Sequence, residues 1–346
     1  MTRATSLPSL VVSTLTASLA LAPLVADATT PLARSSAIPA PRISGPFVHD
    51  NLTVFLIHGT GSAPRQQFLT LQEAMEQKQV VVHETGSVNE LSVENLSPRL
   101  AIFIHAGDIV KGGRQDRTIP QDVLLPPKSG VVPLSSFCVE SGRWSQRGSE
   151  SPTAFNSSND MVVGKGLKIA ARKAADQGQV WQEVSKAQEA LSSRAGAPVA
   201  AAESPSSLQL TLQSPSVRKS ADGYVQALTG TPDKSGIVGC AFAVNNSLRS
   251  AEIYASPELF RKMWPKLLKS AAIEATAGVT DIPIRPTLTT NDVRSFLAAA
   301  DEGKADSKNL SEIEKLVTRE NDKALMFETQ DRERKDATVH KSYVAK

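Results

Sequence analysis

VVVHETGSVNELSVENLSPRLAIFIHAGDIVKGGRQDRTIPQDVLLPPKSGVVPLSSFCV, residues 80–139, decides the fold. Its apolar residues come in short runs broken by Gly, Pro, Asn and Ser: Val80–His83, Glu90–Asn95, Leu100–His105, Asp108–Lys111, Arg114–Ile119 and Val131–Val139. Runs this short, with β-branched residues and a period of two, read as strands rather than helices. Six of them in sixty residues predict an antiparallel, sandwich-like unit.

Upstream, Leu52–His58 reads as a further strand, and Thr70-Leu71-Gln72-Glu73 has the form of a capping box opening a short helix to Glu76. Downstream of Trp144 the composition turns to Ser, Asn and Gly as far as Asp160. Leu167–Asp176 and Val180–Ser192 then mix Ala, Lys, Gln and Glu as surface helices do. AGAPVAAAESPSS, within 194–207, is a loop or linker.

The second half mixes types. Gly236–Val244 and Leu248–Tyr254 flank the turn Asn245-Asn246-Ser247 and predict a hairpin. Ser256 and Pro257 open a helix whose Leu259, Phe260, Met263, Trp264, Leu267 and Leu268 share one apolar face, with Pro265 disturbing its ladder. Thr290–Ala300 and Ser311–Glu320 read as helices, and Ala324–Thr329 with Thr338–Val344 as a terminal strand pair. The expected architecture is α+β. It has an antiparallel β-sandwich-like N-terminal half over 47–145 and a mixed α/β half with surface helices over 160–346, joined in one large domain, 47–346.

The first 28 residues read as a cleavable signal peptide. Arg3 precedes an uncharged apolar or small run from Leu10 to Leu24, and Ala26-Asp27-Ala28 offers an Ala-x-Ala cleavage site. Pro23 breaks the core short of a bilayer span, and 29–46 reads as a flexible tether. The expectation is a secreted or periplasmic protein with no membrane anchor after cleavage. Such a location counts against kinase and dehydrogenase chemistry. Net charge is +3 and is unchanged by removing Arg3 and Asp27, so nothing calls for nucleic acid as partner. Cys138 and Cys240 each sit in an apolar run. Buried free thiols are the commoner outcome, with a single disulfide the alternative.

The five histidines, at 49, 58, 83, 105 and 340, stand singly, with no His-x-His and no His-Glu-x-x-His. No metal and no cofactor is expected on spacing, though a site assembled from distant strands would leave no motif. His58-Gly59-Thr60-Gly61 ends a strand as the oxyanion loop of serine hydrolases does, but no Gly-x-Ser-x-Gly elbow accompanies it. A strand running into a Gly-rich loop is the plainer reading.

Two polar clusters remain. Lys111-Gly112-Gly113-Arg114-Gln115-Asp116-Arg117 joins paired glycines to three cations, a combination that can present N–H groups and guanidinium forks to an anion. Its alternative is a solvated hairpin. In Cys138-Val139-Glu140-Ser141-Gly142-Arg143-Trp144, Glu140 could serve as general acid or base, Arg143 as anion clamp and Trp144 as stacking face; the alternative is an ion-paired strand end packed by Trp144.

These motifs, with Leu69–Ala74, Val88–Asn95, Gly107-Asp108, Gly236–Gly239 and Ser256–Leu268, resemble the ARG and rhodanese-phosphatase-superfamily-associated protein domain over most of residues 45–345. That family is named for the genes it accompanies, ADP-ribosylglycohydrolases and rhodanese-phosphatase relatives. The resemblance therefore implies no activity or catalytic residue. Its usual Gly-Ala-Lys-Gln-Asn-Arg falls on residues 112–117, with Arg114 in place of Lys and Asp116 in place of Asn. The 194–207 loop looks longer than is usual in the family.

Three functions stay open. A binding domain would recognise a small anionic, nucleotide-like ligand through Lys111, Arg114, Gln115, Arg117, Arg143 and Trp144. A hydrolase would use Glu140 with Arg143 or Arg117 stabilising charge. A structural or interaction protein of the cell envelope would hold Glu140, Arg143 and Trp144 in a packed corner with no adjoining pocket.

Overall fold

The computed structural model describes residues 41–59, 67–232, 236–280 and 285–346. The signal peptide and most of the tether lie outside the described residues, as does the Gly-rich loop beyond Gly59. From Ala40 to Lys346 the chain is one compact unit.

It opens with β1 (Arg42–His49), β2 (Leu52–His58), β3 (Phe68–Thr70) and α1 (Leu71–Glu76). Short strands follow: β4 (Val80–Glu84), β5 (Glu90–Asn95), β6 (Ala101–Ile104) and β7 (Asp108–Gly112). Then come β8 (Arg117–Thr118), β9 (Val123–Leu125), β10 (Gly130–Ser135), β11 (Phe137–Cys138) and β12 (Phe155–Met161). The helical stretch comprises α2 (Lys165–Ile169), a π-helical turn at Ala170–Ala174, α3 (Gln177–Ala195), α4 (Leu208–Gln213) and α5 (Pro215–Leu228). The last part is β13 (Ile237–Val244), β14 (Ser247–Tyr254), α6 (Pro257–Ala277) and α7 (Thr290–Asp301). It closes with β15 (Lys304–Asn309), β16 (Glu314–Glu320), β17 (Ala324–Asp331) and β18 (Ala337–Ala345).

One antiparallel sheet of eight strands, in the order β1-β2-β13-β14-β18-β17-β16-β15, joins the two ends of the chain. The residues of β2 and β13 are buried throughout because both faces of the sheet are covered. Alternation then sorts them. Leu52, Val54, Leu56, Cys240, Phe242 and Val244 face the core made with α3, α5 and α6, while Phe55, Ile57 and Ala241 face α7 through Val293, Leu297 and Ala300. At Gly239 a Cβ would sit 2.2 Å from the Glu252 carbonyl oxygen of β14, so the two backbones approach as they do only because this residue has no side chain.

The segment 80–139 is β-rich as read, but in three small sheets, β10-β5-β4, β11-β8-β7-β12 and β3-β6-β9: the run 114–119 pairs only at Arg117–Thr118, 131–139 divides into β10 and β11 in different sheets, and β9 adds a strand the apolar runs did not mark. The fold is α+β with several antiparallel sheets; the β3–β6 pair is parallel. Val82, Leu91, Val93, Ile102, Ile104, Val110 and Phe155 close a second core. The capping box is present, Thr70 Oγ1 accepting from Glu73 N and Glu73 reaching back to Thr70 N. Ser256 caps α6 by accepting from Leu259 N at 3.1 Å, and the predicted apolar face packs inward, with Trp264 stacked on Phe242 at 6.1 Å.

Several expectations are corrected. Arg42–Pro46 belongs to a paired strand, so these residues are not part of a flexible tether. The 194–207 loop starts later, since α3 runs to Ala195. Residues 311–320 are not a helix. Their charged residues suit one, yet β16 pairs with β15 and β17 and buries Leu316 against Leu325, Phe327 and Val344. Pairing and burial override a weak helical preference. The segment 167–176 is not a plain surface helix either: Ala170, Ala171 and Arg172 in its π turn are buried. Cys138 and Cys240 are buried free thiols. Among the described residues no helix is long and apolar enough to cross a membrane, which says nothing of strands.

Candidate functional site

The two polar clusters foreseen in the sequence do meet. Gly113, at φ +52°, turns the chain where a Cβ would strike the Phe155 ring at 2.4 Å, and this sets Asp116 beside Glu140. Arg143 grips Glu140 in a fork, Nε to Oε1 at 2.6 Å and Nη2 to Oε2 at 2.7 Å. Arg147, which no motif in the sequence marks, grips Asp116 at 2.8 and 3.0 Å. Asp116 also accepts from Ser207 Oγ and Gly112 N.

Arg117 is fully buried, with Nη1 bonding Gln115 Oε1 and Cys138 Sγ and Nη2 lying 3.6 Å from Glu84 Oε2. Arg114 is exposed. Its guanidinium and that of Arg117 each lie 5.4 Å from the ring centre of Trp144, which is 41% exposed. Lys111 sits half-buried on β7.

The charges of this corner are largely spent on one another. Arg117, Arg143 and Arg147 face Glu84, Asp116, Glu140 and Glu150. Burial alone would raise the Glu140 carboxyl, but the Arg143 fork, with help from Ser204 and the Asp116 N–H, holds it below its ordinary value. A carboxylate so held is a poor general acid at neutral pH. The cavities at 119–135 with 310–314, at 67–68 with 99–101 and around Arg172 are not lined by these residues.

Two other places carry polar groups with less to do. A cavity of about 550 Å³ opens beside β15 and β16 and is lined by Gln121, Arg172, Lys173, Lys304, Lys308 and Phe327 among others. Arg172 is 9% exposed and lies 4.2 Å over the Phe327 ring, and its Nε and Nη2 have no hydrogen-bond partner among the described residues. The carboxylates here are Asp306, Glu320 and Asp322. Glu320 is taken up by Lys173 and Lys346, which leaves Arg172, Lys304 and Lys308 facing two acids.

Behind this cavity, in the core, His105 follows β6, Asp122 precedes β9, and His340 lies on β18. His340 Nδ1 is 2.7 Å from Asp122 Oδ2, and its Nε2 is 3.2 Å from Glu252 Oε2. Burial disfavours the His340 cation, but Asp122 and Glu252 outweigh it and raise its pKa. Burial, then the charge of His340, pulls His105 down to about 4. Among the described residues, both ring nitrogens of His105 lack a hydrogen-bond partner. Arg172 also acts electrostatically on Asp122, so cavity and core are coupled by charge.

In the sequence each histidine stands singly and Arg172 falls within a surface-helix pattern. The one available sign was the strand AIFIH, which puts His105 at the end of an apolar run.

Fold and site together define an α+β domain with a charged core and a cationic cavity at one sheet edge. The chain belongs to the ARG and Rhodanese-Phosphatase-superfamily-associated Protein domain family, whose profile matches residues 40–344. No curated protein and no solved structure matches it.

Proposed function

We propose that this is an exported binding protein that captures a small phosphate- or carboxylate-bearing molecule at the Arg172 cavity. The observation that carries the reading is Arg172 itself, a buried guanidinium with two unpartnered nitrogens on the wall of the cavity. A buried cation without hydrogen bonds is costly, and a bidentate anion is the partner its fork fits. Phe327 beneath it holds the plane of the fork, and Lys304 and Lys308 add a rim of positive charge.

The anionic ligand expected from the sequence is kept, while the binding residues shift from the Gly-rich turn to this cavity. Arg117 and Arg143 at the turn are already committed to carboxylates, which leaves the exposed Arg114 and the half-buried Lys111 as its remaining cations. Export rests on the residue pattern of 1–28.

Calorimetric titration with inorganic phosphate, AMP and ADP-ribose tests the site. We expect Arg172→Met, which keeps the apolar contact with Phe327, to weaken binding roughly ten-fold or more, and Arg114→Ala with Arg143→Ala to leave it unchanged. The opposite ranking assigns the ligand to the Gly-rich turn. If the wild-type protein binds none of the three, the proposal fails.

A further inference from the structure

We infer that His105, Asp122 and His340 form a buried binding site for a divalent transition-metal ion, with zinc the best fit. One donor atom from each of the three lies within 4.8 Å of the others, and Asp122 Oδ2 and His340 Nδ1 are 2.7 Å apart. Ligand atoms around a tetrahedral zinc with bonds of roughly 2.0–2.1 Å stand about 3.3 Å apart, so side-chain adjustments of up to about 1.5 Å, drawing His105 in and spreading the Asp122–His340 pair, form the site.

The second observation is His105. It is 1% exposed, and neither ring nitrogen has a hydrogen-bond partner among the described residues. The rings of His105 and His340 are 4.8 Å apart, with Phe103 and Tyr254 packed against both. A histidine that only filled space here would be replaceable by an apolar residue at lower cost. A metal ion gives its lone pair a partner.

The surroundings are those of a built ligand set. Asp122 is held by Ala106 N on Oδ1 at 2.8 Å and by Thr329 Oγ1 on Oδ2 at 2.7 Å. His340 Nε2 lies 3.2 Å from Glu252 Oε2, an ion-pair distance without hydrogen-bond geometry, so Glu252 is placed to orient the imidazole once the ring shifts onto a metal. The backbone N–H of His105 donates to Asp108 Oδ2, and Asp108 is fixed by Lys266 of α6. Two imidazoles and a carboxylate suit zinc or a neighbouring first-row ion, and argue against magnesium and calcium, which take oxygen. Because all three ligands are at most 1% exposed, the ion would enter as the chain folds and serve stability.

The test is the metal content of the wild-type protein, by plasma mass spectrometry, after unfolding in chelator and refolding with and without zinc. We expect stoichiometric zinc that survives gel filtration and a higher unfolding midpoint in the zinc-loaded form. Refolding with cobalt should give the visible bands of a low-coordinate site. His105→Ala should lower zinc affinity at least roughly ten-fold, whereas His49→Ala, outside the cluster, should retain it. Wild-type protein that refolds without taking up zinc or cobalt, and with an unchanged midpoint, overturns the inference whether or not His105→Ala folds.

Discussion

Arg117 and Arg172 are both buried guanidiniums, yet they have opposite surroundings. The terminal nitrogens of Arg117 meet Gln115, Cys138, Ser87 and Glu84, and those contacts turn a cationic motif into a packing element. Arg172 keeps unpartnered nitrogens beside a cavity. Glu314 offers a residue-scale test of another kind. Burial, opposed by the Leu124 N–H that bonds its Oε2, pushes its carboxyl up from 4.5 to about 8, with the Asp122 charge adding to the rise. Between those values the unfolded chain has released this proton and the folded one has not, so stability falls as pH rises and the loss is complete above about 8. Glu314→Gln keeps an acceptor for Leu124 N–H and removes that slope. We expect the variant to gain on the order of 5 kcal/mol over wild type at alkaline pH relative to acid pH. Parallel denaturation curves across the pH range check it, and a wild-type slope left intact in the variant contradicts it.

At the scale of elements, capping and pairing decide different boundaries. The start of α6 is set locally: Ser256 caps it, Pro257 occupies the first turn, and Glu258 lies in that turn at the positive end of the helix dipole. Ser256→Ala should cost about 1 kcal/mol, read as a lower denaturant midpoint with the slope unchanged, because the Leu259 N–H loses its acceptor. Pro265 does not end the helix, which runs to Ala277 because both ends of its apolar face are packed. β16 shows the opposite dependence. Its sequence, EKLVTRE, is a passable helix in isolation, and only β15 and β17 on either side make it a strand. β12 carries the Ser and Asn composition of a loop and is a strand because β7 offers it a ladder.

For the whole molecule, the eight-stranded sheet ties residue 42 to residue 345, so unfolding is expected to be cooperative. The thiols report on it. Burial pushes Cys138 up to about 11 and Cys240 well above its ordinary value, and both are enclosed. Alkylation in mild alkali should therefore track the unfolding transition seen by circular dichroism. A thiol that reacts quickly in native conditions would show that one of these cores opens separately.

What the residues by themselves determined is the local part: the short strands of 80–139, the Thr70 and Ser256 caps, the 237–254 hairpin and the closing strand pair. Each rests on period, turn residues or a side chain bonding three positions away, and none needs a distant partner. Tertiary structure alone decided the strand at 314–320, the burial of Arg172 and the gathering of the core cluster. His105 and Asp122 are 17 residues apart, and Asp122 and His340 are 218 apart, so no spacing in the chain could announce that their donor atoms converge. The Gly-rich turn was legible as a cluster of charges. Whether those charges were free or spent depended on Arg147, Glu84 and Ser207, brought to it by folding. Electrostatic meaning is a property of distance in space, and sequence records distance only along the chain.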